Sequence, residues 1–211
     1  IALKPDLTEA HNNLGNTLKE QVRLDEAEAS FRQTIALKPN YAEAHNNLGA
    51  TLQEQGKLEE AEASYRQAIA LKLDYAEAHY NLGNALMEFG RLEEAEASYK
   101  QTIALKSDYA EAYSNMGNTL KKLGRLEGAE ASFRQAIALK SDDAPSHYNL
   151  GNTLFKLEKL DEAEASYRQA IALKSDLAEA HSSLGRLLHV RGLGTKSLDC
   201  FLSAMTLNPN S

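Results

Sequence analysis

The amino-acid sequence predicts an all-α fold, a right-handed superhelical solenoid of six helix-turn-helix repeats. Three observations support this prediction. The sequence repeats itself with a period of 34 residues from Thr8 to Ser211. Within each repeat two stretches carry apolar residues at i, i+3, i+4 and i+7, which is the pattern of an amphipathic helix. Between the two stretches, four of the six repeats have a glycine that can end the first helix in a left-handed conformation.

The repeat boundaries follow from this period. The six repeats occupy residues 8–41, 42–75, 76–109, 110–143, 144–177 and 178–211, and we expect them to form one continuous array. Residues 1–7 (IALKPDL) match residues 35–41 (IALKPNY), so we interpret them as the remnant of a preceding repeat. The chain is therefore predicted to begin inside a helix of a protein that extends upstream. One hairpin cannot bury its apolar stripe alone, so neighbouring repeats must stack.

A glycine occupies the middle of every first helix, at Gly15, Gly49, Gly83, Gly117, Gly151 and Gly185. Glycine there costs about 1 kcal/mol relative to alanine, so its recurrence indicates close packing. We expect alanines of the second helix to face these glycines, namely Ala27, Ala61, Ala95, Ala129 and Ala163. The aromatic series is expected to fill the wider end of each hairpin, and comprises Phe31, Tyr65, Tyr99, Phe133, Tyr167 and Phe201.

Two turns and the last repeat depart from the pattern. Val22 and Glu158 replace the turn glycine in the first and fifth repeats. Because a side chain disfavours a positive φ, we predict that these two turns differ from the others. The sixth repeat has Gly194-Thr195-Lys196-Ser197 at the start of its second helix and is predicted to be the least regular. Its apolar residues Leu198, Phe201, Leu202 and Met205 are expected to be exposed.

Charged pairs four residues apart recur on the second helices, such as Glu62 with Arg66 and Glu28 with Arg32. Each pair adds about 0.3 kcal/mol to its helix. We interpret this surface as a solvated outer face and not as a binding site.

Composition excludes several functional classes. The net charge of −7 argues against nucleic acid, which requires a basic surface. No stretch of eighteen apolar residues is present, so no membrane span is predicted, and we expect a soluble, cytoplasmic protein. The single cysteine, Cys200, leaves no internal disulfide and no cysteine-rich metal site.

The residues of the repeat resemble those of a known family. Leu-Gly in the first helix, Ala and Tyr or Phe in the second, and a closing Pro in some copies are similar to the tetratricopeptide repeat along the whole chain. The Trp that the family usually has at the fourth place is replaced by His or Tyr. In the middle repeats the closing Pro is replaced by Leu73, Ser107, Ser141 and Ser175.

This resemblance implies that one face of the first helices lines a concave groove. Asparagines recur on that face at the sixth and ninth places of the repeat. They form what we call the asparagine row, which consists of Asn13, Asn16, Asn47, Asn81, Asn84, Asn115, Asn118, Asn149 and Asn152. An Asn amide carries both donors and acceptors, so a row of them suits the backbone of an extended peptide.

The segment Tyr113–Leu120 (YSNMGNTL) resembles the tetratricopeptide arm of O-linked N-acetylglucosamine transferases, in which an asparagine ladder holds peptide backbone. If the row binds backbone, its amides should project into the groove without strong intramolecular partners. The alternative is a structural row whose amides cap loops or bond to the neighbouring helix.

The groove is also predicted to carry both signs of charge. Glutamates mark one rim, and lysines occur in the fourth and fifth repeats at Lys121, Lys122 and Lys156. A mixed-charge groove predicts a ligand without strong charge. The lysines that chaperone-tail receptors of the family use at the fifth place are missing here.

Three functions remain open. The first is a protein-protein interaction module that binds an extended or helical polypeptide segment in its concave groove. The second is the substrate-recognition arm of a larger enzyme, such as a protein O-glycosyltransferase. The third is a scaffold that self-associates end to end.

No enzyme activity, cofactor or metal is predicted for this chain, because it has no phosphate-binding loop and no nucleophile–base constellation. Its histidine series is spaced too widely for zinc ligands, which converge at about 2.0–2.1 Å.

Overall fold

The computed structural model describes residues 5–208. That range contains twelve helices and no strand, which confirms the predicted all-α class. The helices are α1 (Pro5–Glu20), α2 (Leu24–Leu37), α3 (Ala42–Glu54), α4 (Leu58–Leu71), α5 (Ala76–Glu88), α6 (Leu92–Leu105), α7 (Ala110–Lys122), α8 (Leu126–Leu139), α9 (Ala144–Lys156), α10 (Leu160–Leu173), α11 (Ala178–Val190) and α12 (Gly194–Leu207). The predictions for residues 1–4 and 209–211 lie outside the described residues.

The chain divides into two compact units, residues 1–107 and 108–211. We call them unit 1, which contains α1–α6, and unit 2, which contains α7–α12. In each unit an odd-numbered helix forms a hairpin with the helix that follows it, and successive hairpins pack against one another. The first helices of neighbouring hairpins also touch, α1 with α3 and α3 with α5 in unit 1. The same holds for α7, α9 and α11 in unit 2, so each unit has a side lined by first helices.

The aromatic ring of the second helix lies directly against the glycine of the first helix. A β-carbon built on Gly49 would lie 2.7 Å from Cε1 of Tyr65, and one on Gly117 would lie 2.8 Å from Cε1 of Phe133. We expected alanines of the second helix to lie against these glycines, but the nearest atoms belong to the aromatic ring. In the first five repeats the glycine makes room for a ring that is almost completely buried, and this contact packs the two helices of the hairpin together.

The turn between the two helices has the same conformation in repeats with and without glycine. Val22 has a φ of 58° and Glu158 a φ of 61°, close to the 76° of Gly56. The predicted difference between these turns is therefore wrong. The shared conformation follows from the hydrogen bonds that end the first helix. Arg23 N donates to Leu18 O at 2.9 Å, just as Lys57 N donates to Leu52 O at 2.8 Å. Satisfying these helix-end carbonyls requires the left-handed residue.

The histidines at the fourth place connect consecutive repeats. Nε2 of His45 lies 2.9 Å from the carbonyl oxygen of Pro39, and Nε2 of His147 lies 3.0 Å from that of Ser141. Each bond joins a first helix to the turn that precedes it. The imidazole at this place therefore has a structural partner.

The carboxylates on the second helices form bridges between repeats. Glu28 accepts hydrogen bonds from Arg32 on its own helix and from Lys57 of the next repeat, both at 2.8 Å. In unit 2 Glu130 accepts from Arg134 and from Lys159 in the same way. Arg32 and Arg134 are about half exposed, as expected for a solvated face, whereas Glu130 is only 9% exposed. These charged hydrogen bonds contribute to the stacking of repeats.

The sixth repeat keeps the helix lengths of the fifth, 13 and 14 residues, so the expected loss of regularity is not found in its helices. Its predicted apolar surface is confirmed in part. Leu198, Leu202 and Met205 are 58%, 51% and 63% exposed, whereas Phe201 is half-buried against Gly185.

Candidate functional site

The asparagine row lies on the first helices, with its unit 1 members on α1, α3 and α5 and its unit 2 members on α7 and α9. Because the first helices of a unit are neighbours, the row continues from one helix to the next. Asn13 is exposed, and Asn47, Asn81, Asn115 and Asn149 are half-buried at the surface. We call this surface of the first helices the asparagine face of each unit.

In unit 1 the amides of the row bond to asparagines of the preceding repeat. Nδ2 of Asn47 donates to Oδ1 of Asn16 at 3.2 Å and to Oδ1 of Asn12 at 3.4 Å. Nδ2 of Asn81 donates to Oδ1 of Asn46 at 3.0 Å. The expectation that these amides have no intramolecular partner is therefore wrong, and part of the row helps to align the first helices.

Two ninth-place asparagines accept hydrogen bonds from buried tyrosines. The hydroxyl of Tyr99 donates to Oδ1 of Asn84 at 2.8 Å, and that of Tyr167 donates to Oδ1 of Asn152 at 2.9 Å. Burial raises the pKa of Tyr167 to about 12, so its hydroxyl remains a donor at neutral pH. These asparagines satisfy hydroxyls that the core would otherwise leave unpaired.

The fourth repeat has phenylalanine at the tyrosine place, and its asparagine is left without this donor. Phe133 fills the position that Tyr167 fills in the next repeat. Within residues 5–208 we find no hydrogen bond to the side chain of Asn118. Asn118 and the exposed Asn13 therefore present whole amides at the surface.

Asn149 has a charged partner that sequence reasoning missed. Nζ of Lys121, on the neighbouring first helix, donates to Oδ1 of Asn149 at 2.7 Å. The two residues are 28 positions apart, so no helical spacing relates them. Their places in the repeat, the twelfth and the sixth, meet only because the hairpins stack.

The amides that are already bonded still have unused hydrogen-bonding groups, and these differ from residue to residue. An Asn side chain has two N–H donors and two lone pairs on Oδ1. Asn47 and Asn81 use their Nδ2 group, which leaves Oδ1 as an acceptor for a ligand. Asn149 and Asn152 use Oδ1, which leaves the Nδ2 donors. In unit 1 Asn16 and Asn84 also use Oδ1, so each unit keeps amide donors for a ligand and unit 1 keeps acceptors on Asn47 and Asn81 as well.

The fifth place contributes to the same surface but was not among the predicted site residues. Asn12 and Asn46 are 2% and 7% exposed and serve as acceptors for the row. In the third and fifth repeats the fifth place is a tyrosine. Its ring packs on the core tyrosine, with centroids 6.0 Å apart for Tyr80 and Tyr99. The recurrence of Asn at two neighbouring places was the signal that could have identified Asn12 and Asn46.

Neither a metal site nor a membrane segment is found in the part of the chain that the structure describes. No group of three or more His, Cys, Asp or Glu side chains there is arranged to hold a metal ion. None of the helices between residues 5 and 208 combines the length and apolar character needed to cross a bilayer.

Two family models match the sequence. One, described as TPR repeat, matches residues 52–90, 83–124, 117–158 and 151–192. The other, described as Tetratricopeptide repeat, matches residues 12–70. No curated protein sequence matches the chain.

Solved structures with the same fold match nearly the whole chain. PilF of Pseudomonas aeruginosa has a TM-score of 0.86 at 21% identity, covering 98% of this chain and 94% of its own. PilW, a type IV pilus biogenesis factor, has a TM-score of 0.86 at 20% identity and covers 99% and 96%. YrrB, described as a TPR protein with an unusual peptide-binding site, has a TM-score of 0.74 at 22% identity and covers 85% and 93%. At these identities the likeness shows the fold alone.

Proposed function

The chain belongs to the tetratricopeptide repeat family, whose members are protein-interaction modules, and we propose that its asparagine face binds a polypeptide segment. The observation that carries the proposal is the set of amide groups left over after internal bonding. Asn13 and Asn118 offer both the donors and the acceptor of their amides, while Asn47 keeps Oδ1 and Asn149 keeps Nδ2 for a ligand. Peptide backbone presents an N–H and a C=O at each residue, so it can pair with both kinds of group.

The internal bonds favour binding because they hold the amides in position. Asn149 is fixed by Lys121 and Asn152 by Tyr167, so neither amide has to be ordered when a ligand arrives. A side chain already held in place loses less conformational entropy on binding. The row is therefore proposed to combine a structural role with recognition.

Phage display of random twelve-residue peptides on the 211-residue chain supplies a ligand with which the proposal can be tested. The selected peptide is titrated by fluorescence anisotropy against two double variants, Asn47→Ala with Asn81→Ala and Asn118→Ala with Asn149→Ala. Two lost hydrogen bonds at about 1 kcal/mol each predict at least about tenfold weaker binding for the pair that contacts the peptide.

The matched control removes two amides from the opposite surface of unit 2, by Gln135→Ala and Gln169→Ala on α8 and α10, where both side chains are exposed. Its affinity should equal that of the wild type. Unchanged affinity in both asparagine variants, with melting curves that show a folded array, contradicts the proposal.

The apolar surface of α12 supports a second candidate function, end-to-end self-association. Leu198, Leu202 and Met205 form an exposed strip on the last helix. Burying such residues against a second copy would remove apolar area from water. Sedimentation velocity over a range of concentrations tests this, and Leu202→Glu with Met205→Glu should abolish any association. A wild-type chain that stays monomeric at high concentration refutes it.

The enzyme-arm alternative rests on the resemblance of Tyr113–Leu120 alone, and no contact of these residues adds to it. The proposal assigns no catalysis to this chain.

A further inference from the structure

Three lysines of unit 2 lie at the ends of neighbouring first helices. We call Lys121 and Lys122 of α7 and Lys156 of α9 the lysine cluster. No carboxylate in residues 5–208 comes within 4.0 Å of any of the three ammonium groups. On the second-helix side of the hairpins, by contrast, Lys57 lies 2.8 Å from Glu28 and Lys159 2.7 Å from Glu130.

Lys121 is half-buried, although its partners are neutral. Its ammonium donates to Oδ1 of Asn149 at 2.7 Å and lies 5.7 Å from the centre of the Phe133 ring. Burial, followed by repulsion from Lys156 and Lys122, lowers the pKa of Lys121. A cation withdrawn from water usually has an anion beside it, and here none is supplied by the described residues.

The equivalent lysine in unit 1 has a carboxylate partner, which Lys121 lacks within residues 5–208. Lys19 is the twelfth residue of the first repeat, as Lys121 is of the fourth. Lys19 forms a 3.1 Å salt bridge with Glu54, the thirteenth residue of the second repeat. In unit 2 the residue at that thirteenth place is Lys156. The fold therefore brings a second cation to the position where unit 1 has the neutralising carboxylate.

The helix dipole does not account for the half-buried position of Lys121. Lysines in the last turn of a helix stabilise its dipole, which explains the exposed Lys122 and Lys156. The effect does not require Lys121 to be half-buried against Phe133. The sequence predicted a ligand without strong charge because glutamates share this surface with the lysines. Glu111, one of these glutamates, lies 3.8 Å from Lys140, the residue after α8, and does not neutralise the cluster.

We propose that the lysine cluster binds the carboxylates of an acidic polypeptide segment on the asparagine face of unit 2. Resting on the proposed function, this inference names the chemistry of the ligand. Asn118 precedes Lys121 by three residues on the same face of α7, so its amide and the Nδ2 group of Asn149 lie beside the cluster. The cluster then receives Asp or Glu side chains while these amides receive the backbone between them.

Nucleic acid is the competing ligand for a group of lysines. The chain carries a net charge of −7, and repulsion of phosphate by the remaining acidic surface opposes that reading. An acidic peptide needs only the three lysines to neutralise a few carboxylates, whereas a nucleic acid needs an extended basic surface to neutralise its row of phosphates.

The test uses three fluorescein-labelled probes with the whole chain in anisotropy titrations at low salt. They are a twelve-residue peptide in which Asp alternates with Gly, the same peptide with Asn in place of Asp, and a twelve-nucleotide oligouridine. The Asp peptide should bind at least about tenfold more tightly than the Asn peptide, since charge-assisted hydrogen bonds are the stronger kind. Equal affinities for the two peptides, or tighter binding of oligouridine, overturn the inference.

The variants locate the charge effect. Lys122→Gln with Lys156→Gln removes two positive charges from the cluster, and Lys174→Gln with Lys196→Gln removes two exposed ones elsewhere in unit 2. The first pair should weaken binding of the Asp peptide at least about tenfold and the second less than about twofold. Lys121→Met keeps the packing on Phe133 and should weaken binding as well. Equal losses in the two double variants contradict a specific site.

The two proposals fail in different ways. If the phage-selected peptide depends on the asparagines but the Asp peptide shows no preference, the acidic ligand is wrong and the peptide-binding face stands. If the asparagine variants also leave every peptide unaffected, both proposals are wrong.

Discussion

The β-carbon that alanine would add at Gly83 lies 2.7 Å from Cε1 of Tyr99, whose ring is completely buried. We predict that Gly83→Ala destabilises the array by about 1–3 kcal/mol, because overpacking outweighs the better helix propensity of alanine. Gly128→Ala is the matched control, since the nearest atom to its β-carbon, Cδ1 of Leu120, is at 3.4 Å. That change should be neutral or stabilise by up to about 1 kcal/mol. Urea titrations followed by circular dichroism measure both, and equal effects would show that the ring can move aside.

The left-handed turn residues give a second prediction. Val22→Gly should stabilise the chain by about 0.5–1 kcal/mol, because a β-branched residue is strained at a φ of 58°. Glu158→Gly should act in the same direction with a smaller effect, since its side chain is unbranched at the β-carbon. Gly56→Ala, at a φ of 76°, should destabilise. Thermal melts compare the three variants. A Val22→Gly chain less stable than the wild type would mean that the flexibility of unfolded glycine dominates.

A third prediction concerns acid. Hydrogen bonds from Lys57, and then from Arg32, hold the pKa of Glu28 at about 2 despite partial burial. The folded pKa lies below the unfolded value of 4.5, so the bridge stabilises the fold above about pH 4.5. This contribution is lost as the pH falls from about 4.5 to about 2.

Glu28→Gln should therefore lower stability by about 1–3 kcal/mol at pH 6, and its difference from the wild type should vanish near pH 2. Glu59→Gln removes an exposed carboxylate one repeat away and serves as the control. Urea midpoints measured from pH 7 to pH 2 provide the comparison. A difference that does not change with pH argues against the bridge.

A fourth prediction separates structural from recognition roles within the asparagine row. Asn152→Ala should destabilise by about 1–3 kcal/mol, since the buried hydroxyl of Tyr167 loses its acceptor. Adding Tyr167→Phe should restore most of this loss, because that repeat then lacks the hydroxyl, as the fourth repeat with Phe133 does. Asn118→Ala should leave the melting temperature within about 1 °C, because no internal bond is broken. Melting curves of the three variants and the wild type test this. If Tyr167→Phe does not restore the stability of Asn152→Ala, the lost hydrogen bond is not the cause of the destabilisation.

The sequence by itself determined the class of the fold and the positions of its helices. The 3.6-residue apolar pattern and the 34-residue period are local signals, and α3 to α12 begin at the same two places of every repeat. The asparagine row was likewise placed on the first helices from its spacing alone. A regular backbone follows from such signals because each helix forms its own hydrogen bonds within a few residues.

Tertiary structure decided every relationship between residues far apart in the chain. The ring of Tyr99 and not an alanine lies nearest to Gly83, Val22 adopts a left-handed conformation, and Lys121 bonds to Asn149. The partners in the Lys121–Asn149 pair are 28 residues apart, a distance that helical periodicity cannot relate. Val22 shows the physical reason most directly. A side chain costs about 1 kcal/mol in the left-handed conformation. The hydrogen bond from Arg23 N to Leu18 O and the packing of the hairpin outweigh this cost, because they require the same backbone path whichever side chain occupies the turn.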